Sequence, residues 1–298
     1  MWMMPQGRAV ARVVRSPPPN SEGSVMGPTL PAFTPLEDSL WLTLCCRALD
    51  NRRPDPILGD AMADQIVRTS GYDYERLKID TNLLLNATIR AKKMDEVASR
   101  FLDRHPDAVG VDLGAGLDTR RERLAPPDTV EWYDVDFPEV VTARRELIPE
   151  RPHSHNVAAD VNEKGWLDAV PSDKPAIIVA DGLFGFLSQD EVTSLLDRLV
   201  EHFPSGNLVF NSYTRFAVWA ARHSRGTKTV ADLIKFPGVD NPRDFERWNP
   251  KLQLIKEILI SREPEVAQFP SVLRVYYRAQ ARSTAWSRKG TIVLHYRF

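Results

Sequence analysis

The chain has 298 residues, 43% of them apolar and 27% charged, the balance of an ordinary globular enzyme rather than of a disordered or membrane-embedded chain. Its 39 basic and 40 acidic residues leave a formal charge of −1, which argues against a nucleic-acid binder that neutralises many phosphates and favours a small-molecule partner. No run reaches the roughly 18 apolar residues of a membrane span, and the two cysteines, Cys45 and Cys46, are adjacent, where a mutual disulfide is strained, so a reducing, cytoplasmic setting is expected.

Residues 1–32 open with MWMMPQGRAVARVVRSPPPNSEGS, with a proline triplet at Pro17 to Pro19 and no acid before Glu22. No apolar stretch suits a secretory signal, so a disordered tail is expected, with a transit peptide as the alternative, followed by one domain over 33–298. From Leu36 the apolar residues Leu40, Trp41, Leu44, Cys45 and Ala48 recur at helical spacing until NRRPDPILGD breaks the helix, which assigns both cysteines to core packing. A second long helix is expected from about Leu83 to His105. Then come short β-rich runs at 108–113, 129–135, 153–159, 176–181 and 206–213, separated by helical stretches. That alternation predicts βαβ units and a parallel sheet covered on both faces. The clearest helix follows the fourth run, where Ser188 and Glu191 form a capping box ahead of an apolar face from Val192 to Phe203. After a Trp- and Arg-containing segment over 214–250, the runs 252–260 and 290–298 are expected as an antiparallel pair at a sheet edge, with no substantial helix between them.

The chemistry gathers at the ends of these strands. VGVDLGAGLDTR, Val109 to Arg120, places Gly114 and Gly116 where the first strand ends, the position at which an open α/β sheet binds ligands, and glycine there lets backbone N–H groups approach a ligand. Thr119 stands where a dinucleotide fingerprint wants its third glycine, which weakens a nicotinamide-cofactor reading, and a bare tight turn remains an alternative. The second strand ends in Tyr133-Asp134-Val135-Asp136. An acid about 20 residues past the glycines is placed to accept bonds from ribose hydroxyls, and Asp136, nearer the loop, is favoured over Asp134, with helix capping as its plainer role. Asp160 follows the third strand and Asp181 ends the fourth. Each alone reads as a turn residue, but acids ending three neighbouring strands converge on one crevice. Arg90 lies in line with Met94, Val97 and Phe101, so it either snorkels at the edge of a buried stripe or clamps a carboxylate. The six histidines show no metal-ligand spacing, and no metal is expected.

LGAGLDTR, the VDFP of Val135 to Pro138, IRAKKMDE at 89–96, ADGLFGFLSQDEV at 180–192 and the closing HYRF together resemble the leucine carboxyl methyltransferase family, in its branch of bacterial polyketide O-methyltransferases. The resemblance spans roughly Leu36 to Phe298 with the motifs in family order. It implies a class I methyltransferase fold, a Rossmann-like α/β seven-stranded sheet with one antiparallel strand and an N-terminal helical cap, and S-adenosyl-L-methionine as cofactor. By position, Arg90 would hold the methionine carboxylate, Gly114, Ala115 and Gly116 would line the cofactor, Asp136 would bind the ribose, and Asp160 with Val161 would meet the adenine edge. Asp181 stands where relatives often carry glutamate, and its contact is less certain by that measure.

The function expected is methyl transfer to an oxygen of a small anionic acceptor, a carboxylate ahead of a phenol because it is already ionised at neutral pH. The alternatives are an NAD-dependent oxidoreductase and a cofactor-binding regulatory protein without transfer activity. Phe184, Phe186, Tyr213, Trp219 and Trp248 are candidate walls for the acceptor, with core packing the plainer role for each, and Arg215 or Arg222 is a candidate anchor. The oligomeric state is not set by the sequence.

Overall fold

A computed structural model describes residues 33–34, 39–223 and 233–298, so the tail expected over 1–32 and a helix start at Leu36 lie outside the described residues. The first described helices are α1, Leu40–Asn51, and α2, Ala61–Thr69. α3, Thr81–Leu102, begins earlier and ends sooner than its apolar pattern suggested. The Asp80 side chain accepts the Leu83 N–H at 2.8 Å, and a capped first turn needs no apolar residue of its own.

From there strands and helices alternate: β1 (Val109–Leu113), α4 (Arg120–Leu124), β2 (Glu131–Asp136), α5 (Pro138–Leu147), β3 (Ser154–Ala158), β4 (Ala176–Ala180), α6 (Gln189–His202) and β5 (Gly206–Ser212). Pro138 occupies the first turn of α5, and the Ser188–Glu191 capping box opens α6. α7 (Arg215–His223), α8 (Asp244–Trp248), β6 (Gln253–Leu259), α9 (Ser271–Gln280), α10 (Thr284–Ser287) and β7 (Ile292–Arg297) complete the chain. The seven strands form one sheet in the order β3-β2-β1-β4-β5-β7-β6. β7 runs antiparallel to both β5 and β6, and the other pairings are parallel.

The expected antiparallel pair is therefore present, but α9 fills the interval assigned no substantial helix. Its inward residues Leu273 and Tyr277 pack with Leu85, Ile89 and Phe269, while Val272, Val275 and Tyr276 point outward. At ten residues the helix is shorter than the window over which a helical period is read from sequence.

Strand alternation builds a core on each face. On one, Val111, Leu113, Ile178 and Phe210 pack with Val192, Leu195 and Leu199 of α6. On the other, Trp132, Ile177, Val179 and Val209 pack with Met94, Val97 and Phe101 of α3. α1 and α2 form a third cluster with Leu117, Val140 and Ala143, which seats this helical cap against the loop after β1. Cys45 is fully buried in this cluster and Cys46 is fully buried beside it on α1, and burial pushes both thiols up to about 12, so they pack as expected and stay protonated.

Candidate functional site

Four strand ends meet in the spatial order β4, β1, β2, β3. Asp181 follows β4, the glycines follow β1, Asp136 ends β2 and Asp160 lies just past β3. Chain order reverses direction between β1 and β4, the place where such sheets open a ligand crevice. Gly114 and Gly116 hold φ of 61° and 52°, a region that penalises a Cβ. A Cβ at Gly114 would also stand 3.1 Å from the Leu183 side chain.

The backbone here differs from the expectation of free N–H donors. Gly114 and Ala115 both donate to the Val135 carbonyl, at 2.9 and 3.2 Å, and Gly116 donates to the Asp136 carboxylate at 2.6 Å. The three N–H groups tie the loop to β2, so what the loop offers outward is surface without side chains. Asp136 also accepts the Phe137 N–H at 2.8 Å. The helix after β2 has Phe137 as its N-cap and no side-chain cap, so the capping role expected of Asp136 is not the one it fills.

Asp134 serves elsewhere. It is buried, 2.6 Å from Arg144, and accepts from the Trp132 indole at 3.2 Å. Arg144 in turn donates to the carbonyls of Gly116 and Asp118, at 2.8 and 3.0 Å, bracing the glycine loop from behind. Asp160 accepts the Asn162 N–H at 2.9 Å, and Val161 is buried beside it with its carbonyl bound by Trp166 and Arg198.

Arg90 and Asp181 come together. Nε of Arg90 lies 2.6 Å from Oδ1 of Asp181, and a guanidinium nitrogen of Arg90 donates to the Tyr213 hydroxyl at 3.3 Å. The contact with Asp181 is short but poorly aligned, and both Nε and Oδ1 are left without a directed hydrogen bond. Burial works against the Arg90 charge, and Asp181 and Tyr213 more than offset it, raising its pKa. A buried cation and anion, each with bonding capacity unspent, fit a zwitterion with a carboxylate and an ammonium group.

The second half of LGAGLDTR has a role that local spacing did not show. Arg120 is fully buried and bonds to Asp112 at 2.8 Å, Asp118 at 3.1 Å and Asp95. Arg123 pairs with Asp60 and Asp95 at 2.7 Å and Asp118 at 2.8 Å. Arg47 of α1 reaches Asp60 at 3.1 Å and the Leu117 carbonyl at 2.9 Å, and Thr119 donates to Asp60 at 2.7 Å. This lattice locks the cap onto the glycine loop. Burial pushes Asp118 up, but Arg123, Arg47 and Arg120 together hold it well below the usual carboxylate range. Asp112, more deeply desolvated than Arg120 can offset, is pushed up to about 7.

Among the candidate walls, Phe184 is buried against Phe210 and Trp248 packs on Phe245, as core residues do. Phe186 is half-buried, and Tyr213 is half-buried on Arg90. Trp219 departs from the core expectation: it is exposed on α7. Arg222 donates to the Ile234 carbonyl at 2.6 Å, and Arg215 is exposed. A polar cavity of about 310 Å³ lies behind Arg144, lined by Arg121, Arg145 and Arg151, and touches neither the glycines nor Arg90. No group of three His, Cys, Asp or Glu among the described residues is arranged to hold a metal ion, and no described helix is long and apolar enough to cross a membrane.

Residues 41–200 match the model of the leucine carboxyl methyltransferase family. The tetracenomycin polyketide synthesis O-methyltransferase TcmP of Streptomyces glaucescens is 40% identical over 76% of this chain and 84% of its own. The S-adenosyl-L-methionine-dependent methyltransferase dpfgK of Gibberella zeae is 34% identical over 80% of this chain and 87% of its own. Among solved structures, a candidate methyltransferase of Thermobifida fusca YX, 18% identical, superposes with a TM-score of 0.51 over 85% of this chain and 93% of that one, a likeness of fold.

Proposed function

The chain belongs to the leucine carboxyl methyltransferase family and is an S-adenosyl-L-methionine-dependent methyltransferase, and on that premise we propose that it esterifies a carboxylate of a small anionic metabolite. The NAD-dependent alternative is set aside by the family match, and the regulatory one by the enzymes it matches. In this reading Arg90 takes the methionine carboxylate and Asp181 the ammonium group. Gly114, Ala115 and Gly116 give a wall without bulk, Asp136 accepts from the ribose hydroxyls, and Asp160 with Val161 meets the adenine edge.

The cofactor supplies a methyl group made electrophilic by its sulfonium. What the chain must add is alignment and the exclusion of water, because an anionic oxygen meeting a cationic donor loses charge in the transition state. A carboxylate needs no proton removed, whereas a phenol, with a pKa near 10, wants a base.

The observation that carries the carboxylate reading is the placement of the six histidines. His153 and His155 pair with Glu131 at the start of β2, at the other end of the strand from Asp136. His105 packs on Phe101, His202 binds the Val170 carbonyl, His295 bonds Asn207, and His223 bonds the Trp219 carbonyl. None of these contacts puts an imidazole on a glycine, Arg90, Asp136 or Asp181. The test is transfer of a radiolabelled methyl group followed by mild alkali. A methyl ester releases volatile labelled methanol. Label retained in the product, as in an aryl ether, overturns the carboxylate assignment and leaves methyl transfer standing.

A further inference from the structure

From Val266 to Phe298 the sequence holds no aspartate or glutamate, against Arg274, Arg278, Arg282, Arg288, Lys289 and Arg297. Arg288 is neutralised by Glu257 at 2.7 Å, but Arg274, Arg278, Arg282 and Lys289 form no ion pair among the described residues. The same segment carries apolar side chains in contact with solvent, with Arg274 and Arg278 on one flank of them. On α9, Val272 is 82% exposed, Val275 67% and Tyr276 49%, at positions i, i+3 and i+4 of one helix face. The Tyr276 ring meets the exposed Trp286 at 5.9 Å between centroids, and Lys289 lies 4.6 Å above the exposed Phe216 ring, which carries the surface on to α7. Clustered exposed apolar groups rimmed by polar ones mark interaction surfaces.

The same helix is firmly seated from behind. The Tyr277 hydroxyl donates to Asn82 at 2.7 Å and accepts from Asn86 at 2.6 Å, so the exposed ridge sits on a rigid base. A ridge with anchors at i, i+3 and i+4 is the element that lies into a groove of a partner.

We propose that the outward face of α9, with Trp286 and the cations around it, docks a partner protein that presents an apolar groove rimmed by acidic side chains. Charge selects that occupant. The tail over 1–32 carries Arg8, Arg12 and Arg15 against Glu22 alone, so it brings the same sign to the surface. A second copy meeting this face with its own would set arginine against arginine in a twofold contact.

The probe is a designed helical hairpin with a leucine-lined groove and glutamates on both rims, beside a twin with lysines on the rims. Each is labelled and titrated with the full chain while anisotropy is read. The glutamate hairpin binds at least about tenfold tighter than its twin, and the margin shrinks as salt rises. Val275→Ser with Tyr276→Ser weakens it about tenfold without moving Tm, and Arg278→Glu with Arg282→Glu reverses the preference between the twins. Equal binding of the two hairpins, or indifference to either pair of substitutions, overturns the proposal. So does a dimer, seen by sedimentation, that the serine pair converts to monomer, since the surface then belongs to a second copy. Binding to phosphatidylglycerol vesicles without binding to the hairpin overturns it in favour of a lipid surface.

Discussion

Arg90 and Arg120 are both buried and both stand beside Asp181, at 2.6 and 4.0 Å, yet their surroundings differ in kind. Arg120 is surrounded by Asp95, Asp112 and Asp118, and each of its three guanidinium nitrogens bonds one of them. Arg90 has one acid, badly aligned, and an Nε without a directed bond. A buried charge whose nitrogens are all bonded within the fold fixes structure, and one that keeps a donor without a directed bond at a strand end is the one proposed to receive a ligand. The type of residue and its depth do not separate the two roles. The completeness of the hydrogen bonding does.

The largest test of that contrast is Arg120→Ala, which strips buried Asp112 of its ion pair while Asp95 and Asp118 keep Arg123, and it is expected to cost about 3 to 5 kcal/mol of stability. Thermal melting of the purified variant measures it, and a Tm close to wild type would show that the lattice is ornamental. Arg90→Ala is expected to lose about 2 to 4 kcal/mol of affinity for S-adenosylhomocysteine by calorimetry, with a much smaller fall in Tm than Arg120→Ala. If the two variants lose stability alike, the contrast fails.

Asp112 sharpens it through pH. Its pKa is raised to about 7 in the fold by burial, against an ordinary value of 3.8. Between those limits the folded chain holds a proton that the unfolded chain releases. That stabilising contribution is fully present below pH 3.8 and is lost as pH rises towards 7. Asp112→Asn, which mimics the protonated form, therefore gains on wild type with rising pH, by at most about 1.4 kcal/mol per unit. Urea unfolding at pH 4.5 and 7 measures the slope, and a deficit that grows with pH would contradict the assignment. The smallest effect belongs to the tail. Removing residues 1–31 should leave Tm and cofactor affinity within about 0.5 kcal/mol of wild type, whereas a large gain in affinity would mean that the tail occupies the reserve capacity of Arg90.

The alternation of runs predicted the parallel sheet because β-rich segments and one-sided helices are local patterns, and the crevice followed because chain order places every strand end. Asp136 was distinguishable from Asp134 by its place at the strand tip. The lattice was not legible, because Arg47, Asp60 and the loop residues Leu117 to Arg123 meet only through tertiary folding, and separations such as 59 or 70 residues leave no periodic trace. Nor was the use of the glycine N–H groups, since a G-x-G turn reads the same whether its donors face a ligand or the next strand. Asp181 read as a strand-end acid, and Arg90 as an arginine in a buried stripe that either snorkels or clamps a carboxylate, with nothing in the spacing to join the two. Their pairing needed α3 to cross β4.

β7 follows every other strand in chain order, yet it lies between β5 and β6 and pairs with both along its length. During synthesis the earlier strands emerge first, at about 5 to 20 residues per second, and β6 then waits with no neighbour while β5 stands as an open edge. Such unpaired edges invite pairing with other chains. The vulnerable interval in this protein's life is the one before Ile292–Arg297 arrives, and a ribosome that stalls there releases a five-stranded sheet with β6 detached from it rather than a sheet shortened by one strand.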